Sequence, residues 1–189
     1  MTETSPPAGV SPVRSLQAEG ACRAVPGRPT SAELVSAIRR LADPDGPLVA
    51  LFDAEAIAGE RHLLSAWAHL GRSRREGAQR LRDRGAELAL YVAGDDQLGR
   101  ALAKVGVHEG TTQFVLLVER PRSLAEVREA FGLRPDPTAY PRPPTEATLE
   151  RLGISAAERE IVPRSAWEAL VLERVALVDL APATGGGKG

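Results

Sequence analysis

The 189-residue sequence contains a single cysteine, Cys22, and no apolar run long enough to cross a bilayer. One cysteine excludes an intrachain disulfide and gives no sign of an oxidising compartment. The first residues also lack the basic stretch and apolar segment of a secretion signal. We therefore expect a cytoplasmic protein without a membrane segment.

Histidines are scarce as well and carry no catalytic or metal-binding signature. The three are His62, His69 and His108, with no HExxH spacing and no neighbouring cysteine. His62 and His69 lie two turns apart on one predicted helix, and we interpret them as solvent-facing. No GxSxG nucleophile elbow occurs either. These absences predict a protein without a metal, a cofactor or a catalytic nucleophile, whose surface serves binding.

Residues 91–100, YVAGDDQLGR, have the glycine spacing of a phosphate-binding loop that starts at Gly94. In that motif a lysine reaches the phosphate oxygens, and here Arg100 replaces it. Asp95 and Asp96 place carboxylates at the helix N-terminus, where a phosphate would otherwise bind. We expect one of these aspartates to cap the helix. A small nucleotide-binding α/β enzyme that uses the Gly94 corner is the alternative.

The chain reads as one α/β domain with tails. Repeated proline, glycine and serine predict a disordered tail over residues 1–30, and residues 181–189 form a Gly-rich tail that we also expect to be disordered. The order of elements over residues 31–180 predicts a single domain with a mixed sheet of about three to five strands packed with helices. Strands are predicted at residues 48–52, 87–93 and 113–118, and helices at 31–42, from Glu60 onward, 76–83, 95–105, from Ser123 onward, 145–152, 155–161 and 165–180.

An arginine-rich segment lies in this nearly neutral chain, whose formal net charge is −1. Between residues 72 and 84 only Glu76 and Asp83 oppose the arginines, so we expect a local positive field. Nucleic acid is one partner for such a field, and a solvated helix face is the alternative. The arginines are Arg72, Arg74, Arg75, Arg80, Arg82 and Arg84.

Residues 166–180, AWEALVLERVALVDL, predict a helix with apolar surface on more than one side. Its four charged residues scatter around the helix axis, so one face can pack in the core while another binds a partner. A helix buried wholly in its own domain, or a strand at residues 175–180, is the alternative. The residues predicted to divide between the core and a partner interface are Trp167, Leu170, Val171, Val175 and Leu177.

Three stretches of the sequence, ALFDAEAIAGERHLLSAWAHL, ELALYVAGDDQLGRALAKVGV and LERVALVDL, together resemble the TPRKB-like family, the small kinase-binding subunit of the KEOPS complex, in its archaeal form. The resemblance covers roughly residues 48–180, and the order of the pieces is its most specific feature. It implies a compact α/β domain and a non-catalytic subunit that binds the kinase-like ATPase subunit of KEOPS. It also implies a role in recruiting tRNA for threonylcarbamoyladenosine modification.

The resemblance and the arginine excess together predict a tRNA-binding surface. Contacts between arginines and phosphates would supply most of the affinity, and the amide of Gln97 would contact the single-stranded tRNA end. An unrelated scaffold protein that binds no RNA is the remaining alternative. The surface is predicted to consist of Arg72, Arg74, Arg75, Arg82 and Arg84, extended by Arg61, Gln97, Arg100 and Lys104.

Overall fold

The computed structural model describes residues 15–43 and 46–181 and has an α/β fold built on one sheet. The strands are β1 (Leu16–Arg23), β2 (Val49–Asp53), β3 (Gln113–Glu119) and β4 (Leu133–Pro135). They lie in the order β2-β3-β1-β4, and all three pairings between these strands are antiparallel. The predicted fold class and strand number are confirmed. The sheet is antiparallel where we predicted a mixed one, because two segments were misassigned.

β1 is the first of these segments, and it corrects the prediction that residues 1–30 form a disordered tail. The strand pairs with β3 along most of its length and with β4 on its other edge. Its small residues reflect close packing: a Cβ atom on Gly20 would lie 2.3 Å from the carbonyl oxygen of Asp136, so the chain after β4 passes directly over the strand. Residues 1–14 and 182–189 of the two predicted tails lie outside the described residues.

Most of the predicted helices are confirmed, and their caps explain why they could be read from sequence. The side chains of Thr30, Ser123, Thr145 and Ser155 each accept a hydrogen bond from the amide three residues later, which satisfies an otherwise unpaired donor. The helices are α1 (Ser31–Leu41), α2 (Glu60–Arg75), α3 (Arg84–Ala93), α4 (Leu98–Val105), α5 (Leu124–Ala130), α6 (Glu146–Arg151), α7 (Ala156–Ile161) and α8 (Trp167–Leu180), with 3₁₀ turns at Ala54–Ala56 and Arg164–Ala166.

α3 corrects the prediction of a strand at residues 87–93. Asp83 begins the helix, its side chain accepting a hydrogen bond from the Ala86 amide at 2.7 Å, and Gly94 ends it. Every residue from 87 to 93 is buried, because α3 packs against α2, α4 and α8. A helix covered on all sides loses the apolar periodicity that distinguishes it from a buried strand. Residues 76–83, predicted to be helical, form the turn that leads into α3.

The sheet separates two layers of apolar side chains. On β3, Val115 and Leu117 face the larger cluster with α2, α3 and α8, whereas Phe114, Leu116 and Val118 face the smaller cluster with α1 and α5. Both faces of the strand are therefore covered, as its continuous apolar sequence predicts. The large cluster positions α8 against α2 and α3.

Candidate functional site

The C-terminal helix α8 presents apolar side chains both to the core and to solvent. Its inner face packs on α2 and α3 through Trp167, Val171, Val175 and Val178, all of them buried. The opposite side, called here the outer face of α8, consists of exposed residues that recur every three or four positions. These are Ala169, Glu173, Ala176, Leu177 and Leu180.

The predicted interface set divides between these two sides. The predicted helix is confirmed, and the alternative of a strand at residues 175–180 is wrong. Leu177 keeps 47% of its surface exposed, and Leu180, which was not in the predicted set, keeps 78%. Trp167, Val171 and Val175 lie in the core, Leu170 is half-buried against it, and Leu177 is exposed.

The C-terminal end of α8 is held by polar side chains from α2, α3 and the turn between them. Arg80 donates to the carbonyl oxygens of Val178 at 2.7 Å and Ala181 at 2.5 Å. Asp179 accepts hydrogen bonds from Arg72 at 2.5 Å and from Tyr91 Oη at 2.9 Å. Cations are favourable at this end of a helix because its last carbonyls are unpaired and the dipole is negative. These contacts fix the orientation of the outer face of α8.

The arginine-rich segment therefore does not form a continuous cationic surface. Arg72 binds Asp179, and Arg74 Nη2 lies 3.2 Å from a carboxylate oxygen of Glu87. Arg84 is bound to Glu119 at 2.9 Å and to the carbonyl of Gly46 at 3.0 Å. Of the five central residues predicted to contact tRNA, Arg74 and Arg84 are half-buried and bound within the fold. Arg72 is ion-paired but keeps 47% of its side chain exposed. Arg75 and Arg82 are also exposed.

Helix packing explains why residue 94 is a glycine. Its φ of +59° lies in the left-handed region, and a Cβ atom there would lie 2.6 Å from Cβ of Arg174 on α8. Glycine is the residue that tolerates both the conformation and the close approach. The Gly94 corner, which the alternative of a nucleotide-binding enzyme would use, is also where α3 contacts α8.

Asp95, the residue after Gly94, is buried and binds two of the cations predicted to contact tRNA, Arg100 and Lys104. Its carboxylate accepts hydrogen bonds from Arg100 Nε and the Gln97 amide, each at 3.0 Å, and Lys104 Nζ lies at 3.0 Å. Burial acts to raise the pKa of Asp95, but these partners outweigh it and lower the pKa to about 2. The N-cap of α4 is Gln97, half-buried and without a side-chain capping bond, so the prediction of an Asp95 or Asp96 cap is wrong. Asp95 binds that cap residue's amide instead.

His62 is buried, which corrects the interpretation that it faces solvent. Its Nδ1 accepts from the Ala58 amide at 3.1 Å, and its Nε2 donates to the Val92 carbonyl at 2.9 Å. Burial lowers the pKa of His62 to about 4, so the ring is neutral and joins α2 to α3. The interpretation is wrong for His69 as well, because only 15% of its side chain is exposed and its Nδ1 lies 2.7 Å from Asp179 Oδ2. Over residues 15–43 and 46–181, no cluster of three or more histidine, cysteine, aspartate and glutamate side chains is arranged to hold a metal.

A polar cavity of about 230 Å³ lies where α2, α3 and α8 meet. Behind it, the carboxylate of Glu87 is fully buried and accepts hydrogen bonds from Ser73 Oγ at 3.0 Å and the Arg80 amide at 3.1 Å. Burial raises the pKa of Tyr91, on the cavity wall, to about 12. Sequence reasoning missed this network because it assigned Glu87 and Tyr91 to a strand. The cavity is lined by Arg72, Ser73, Glu76, Ala78, Arg80, Tyr91 and Asp179.

A more open groove, of about 440 Å³, lies between the start of α2, the proline-rich loop at residues 141–144 and the start of α8. We call it the arginine groove because Arg61, Arg142 and Arg164 line it. Only Arg61 among these was a predicted tRNA contact. The three are far apart in sequence, so no local charge pattern signals the groove. Its remaining lining residues are Ala58, Gly59, Glu60, Pro141, Pro143, Pro144, Ser165 and Glu168.

Fold and surfaces together define a small α/β protein whose distinctive features are an exposed apolar helix face and a groove lined by arginines. No protein-family model matches the chain, and no curated protein matches it. In the part of the chain that the structure describes, no helix has the length and apolar character needed to span a membrane.

Proposed function

We propose that this chain is a non-catalytic accessory subunit of the KEOPS type, which binds the kinase-like ATPase subunit through the outer face of α8 and helps to recruit tRNA in the cytoplasm. The three sequence stretches that resemble the TPRKB-like family support the choice of partner. The observation that carries the proposal is the outer face itself: α8 has buried one apolar side in the core and still presents Leu177 and Leu180 to solvent.

The outer face of α8 has the chemistry of a small protein-binding surface. Two exposed leucines and two alanines surround a single charge, Glu173. Burying a leucine side chain stabilises a complex by about 1.5 to 3 kcal/mol, and a few such residues commonly dominate the energy of an interface. Arg72, Arg80 and Asp179 hold the helix in place, so little ordering is required when the partner binds.

Recruitment of tRNA would use the arginines that the fold leaves available. Arg75 and Arg82 are exposed, and phosphate contacts need only an accessible positive charge. Arg100 and Lys104 are bound to Asp95, so they would contribute less than the sequence predicts.

The test of the proposed docking face is Leu177→Glu, assayed for binding to the kinase-like subunit. The substitution would place an unpaired charge in the interface, at a cost of several kcal/mol, and we expect the affinity to fall at least about 100-fold. The matched control is Leu102→Glu on α4, because Leu102 is exposed to nearly the same degree, 46%.

The control variant should bind like the wild type, and both variants should keep the wild-type circular dichroism spectrum and melting temperature. Equal binding by Leu177→Glu and wild type would contradict the docking face. Equal losses in both variants would show that the effect is not specific to α8.

A further inference from the structure

We infer that the arginine groove binds a phosphate group, and that an RNA backbone supplies it. The choice of RNA rests on the proposed function, whereas the phosphate chemistry rests on the groove alone. Arginine presents a planar fork of donors that suits two oxygens of one phosphate. Three guanidinium groups around one concave surface are therefore the donors that a phosphate requires.

Two buried donors at this corner lack an acceptor in the described residues. They are Nε of Arg142 and Nε1 of Trp167. The Trp167 ring lies under the Arg164 guanidinium, 5.0 Å from its Cζ. A buried donor is normally paired. The only other unpaired buried side-chain atoms of the described chain, on Arg74 and Glu87, belong to two residues that already form an ion pair.

The start of α2 adds backbone donors to the same groove. Gly59 precedes the helix with φ +114° and provides no side-chain capping bond, so the first amides of this 16-residue helix have no cap. The positive end of the helix dipole lies there as well. This feature reinforces a site that the arginines define.

Glu60 and Glu168 also line the groove, and their charges must be weighed against the three arginines. Glu168 Oε2 lies 3.6 Å from Arg61 Nη1, and Arg61 is mostly exposed. Arg164 binds Glu146 at 2.7 Å, with both side chains largely in solvent. The exposed Arg164–Glu146 pair contributes little stability, so a phosphate can replace Glu146. The Glu168 side chain is only 23% exposed, so its charge stays at the groove and offsets part of the arginine charge. Arg142 Nε has no hydrogen-bond partner among the described residues, so a phosphate would not have to displace one.

The experiment compares two double variants of the full chain in tRNA binding over a range of salt concentrations. Arg142→Ala with Arg164→Ala removes two donors from the groove. Arg39→Ala with Arg40→Ala, at two exposed arginines of α1, removes the same charge from a surface to which no tRNA contact is assigned and is the control. For the groove variant we expect about a tenfold loss of affinity per arginine. The slope of log affinity against log salt should fall by about 0.7 to 0.9 for each lost contact.

Pyrophosphate provides a probe that does not depend on tRNA. Its addition to the wild-type chain should shift the NMR resonances of the Arg142 Nε–H group and of the Glu60 and Arg61 amides. Arg142→Ala alone should leave the melting temperature unchanged, because Nε makes no bond that the fold would lose. That result separates a ligand-binding arginine from a structural one.

The outcomes distinguish the groove from the proposed function. Pyrophosphate shifts without any tRNA binding by the wild type would support the phosphate site and contradict the tRNA role. Pyrophosphate shifts with equal tRNA binding by wild type and groove variant would assign the site to a free phosphate compound and overturn its assignment to RNA. Unchanged resonances, together with tRNA binding that the groove variant retains in full, would overturn the inference.

Discussion

Glu87 is the residue whose removal should cost this fold most, because its carboxylate is fully buried among donors from two elements. Glu87→Ala would leave Ser73 Oγ and the Arg80 amide without their acceptor and would remove the carboxylate 3.2 Å from Arg74. Breaking one side of a buried charge pair costs about 3 to 5 kcal/mol. Arg74 keeps hydrogen bonds to the carbonyls of Leu81 and Arg82, so we expect the lower end, about 3 kcal/mol.

Urea denaturation of wild type and variant measures this loss directly. About 3 kcal/mol is a large share of the 5 to 15 kcal/mol that stabilises a typical domain, and it should lower the melting temperature by about 6 to 12 °C. Glu87→Gln keeps an acceptor and should lose less. Glu76→Ala, at an exposed glutamate on the same cavity, is the control and should change stability by less than about 0.5 kcal/mol. A loss below about 1 kcal/mol for Glu87→Ala would refute the reasoning.

Two further predictions concern His62 and Gly94. The folded-state pKa of His62, about 4, lies below its unfolded value of about 6.5. As the pH drops, the unfolded chain therefore binds the proton first. The free energy of unfolding should fall between about pH 6.5 and about pH 4, by about 3 kcal/mol in total. His62→Gln should flatten that part of a stability-against-pH curve, and an unchanged slope would show that another group is responsible. Gly94→Ala should destabilise by about 2 to 4 kcal/mol in urea denaturation, since a left-handed backbone and a contact with Arg174 oppose the methyl group. Gly77→Ala, at φ +68° with open space around the added Cβ, should cost only the conformational part; equal losses at both positions would rule out the helix contact as a cause.

Helices with caps and the central strand could be predicted from sequence because their signals are local. Thr30, Ser123 and Ser155 each mark a helix start, and the apolar run of β3 matches a strand covered on both faces. β1 was missed because the need for glycine at position 20 comes from a distant part of the chain. The loop after β4 crosses the strand there and leaves no room for a side chain. α3 was misassigned because burial on every side removed its helical period.

The candidate surfaces depended even more on distant residues. Arg72 and Arg84 form part of an apparent charge patch in the sequence, yet their partners, Asp179 and Glu119, come from other elements. The sequence does predict that α8 has an exposed apolar side, because the helix has more apolar residues than one face can bury. Packing against α2 and α3 decides which of these residues face solvent. The sequence of α8 alone does not contain that information.

The most direct test of the proposed function is a calorimetric titration of the purified full chain with the kinase-like ATPase subunit from the same organism. The outer face of α8 predicts a saturable complex with a negative heat-capacity change, because binding would bury the apolar surface around Leu177 and Leu180. Absence of binding at concentrations where both proteins stay soluble would contradict the assignment to this complex.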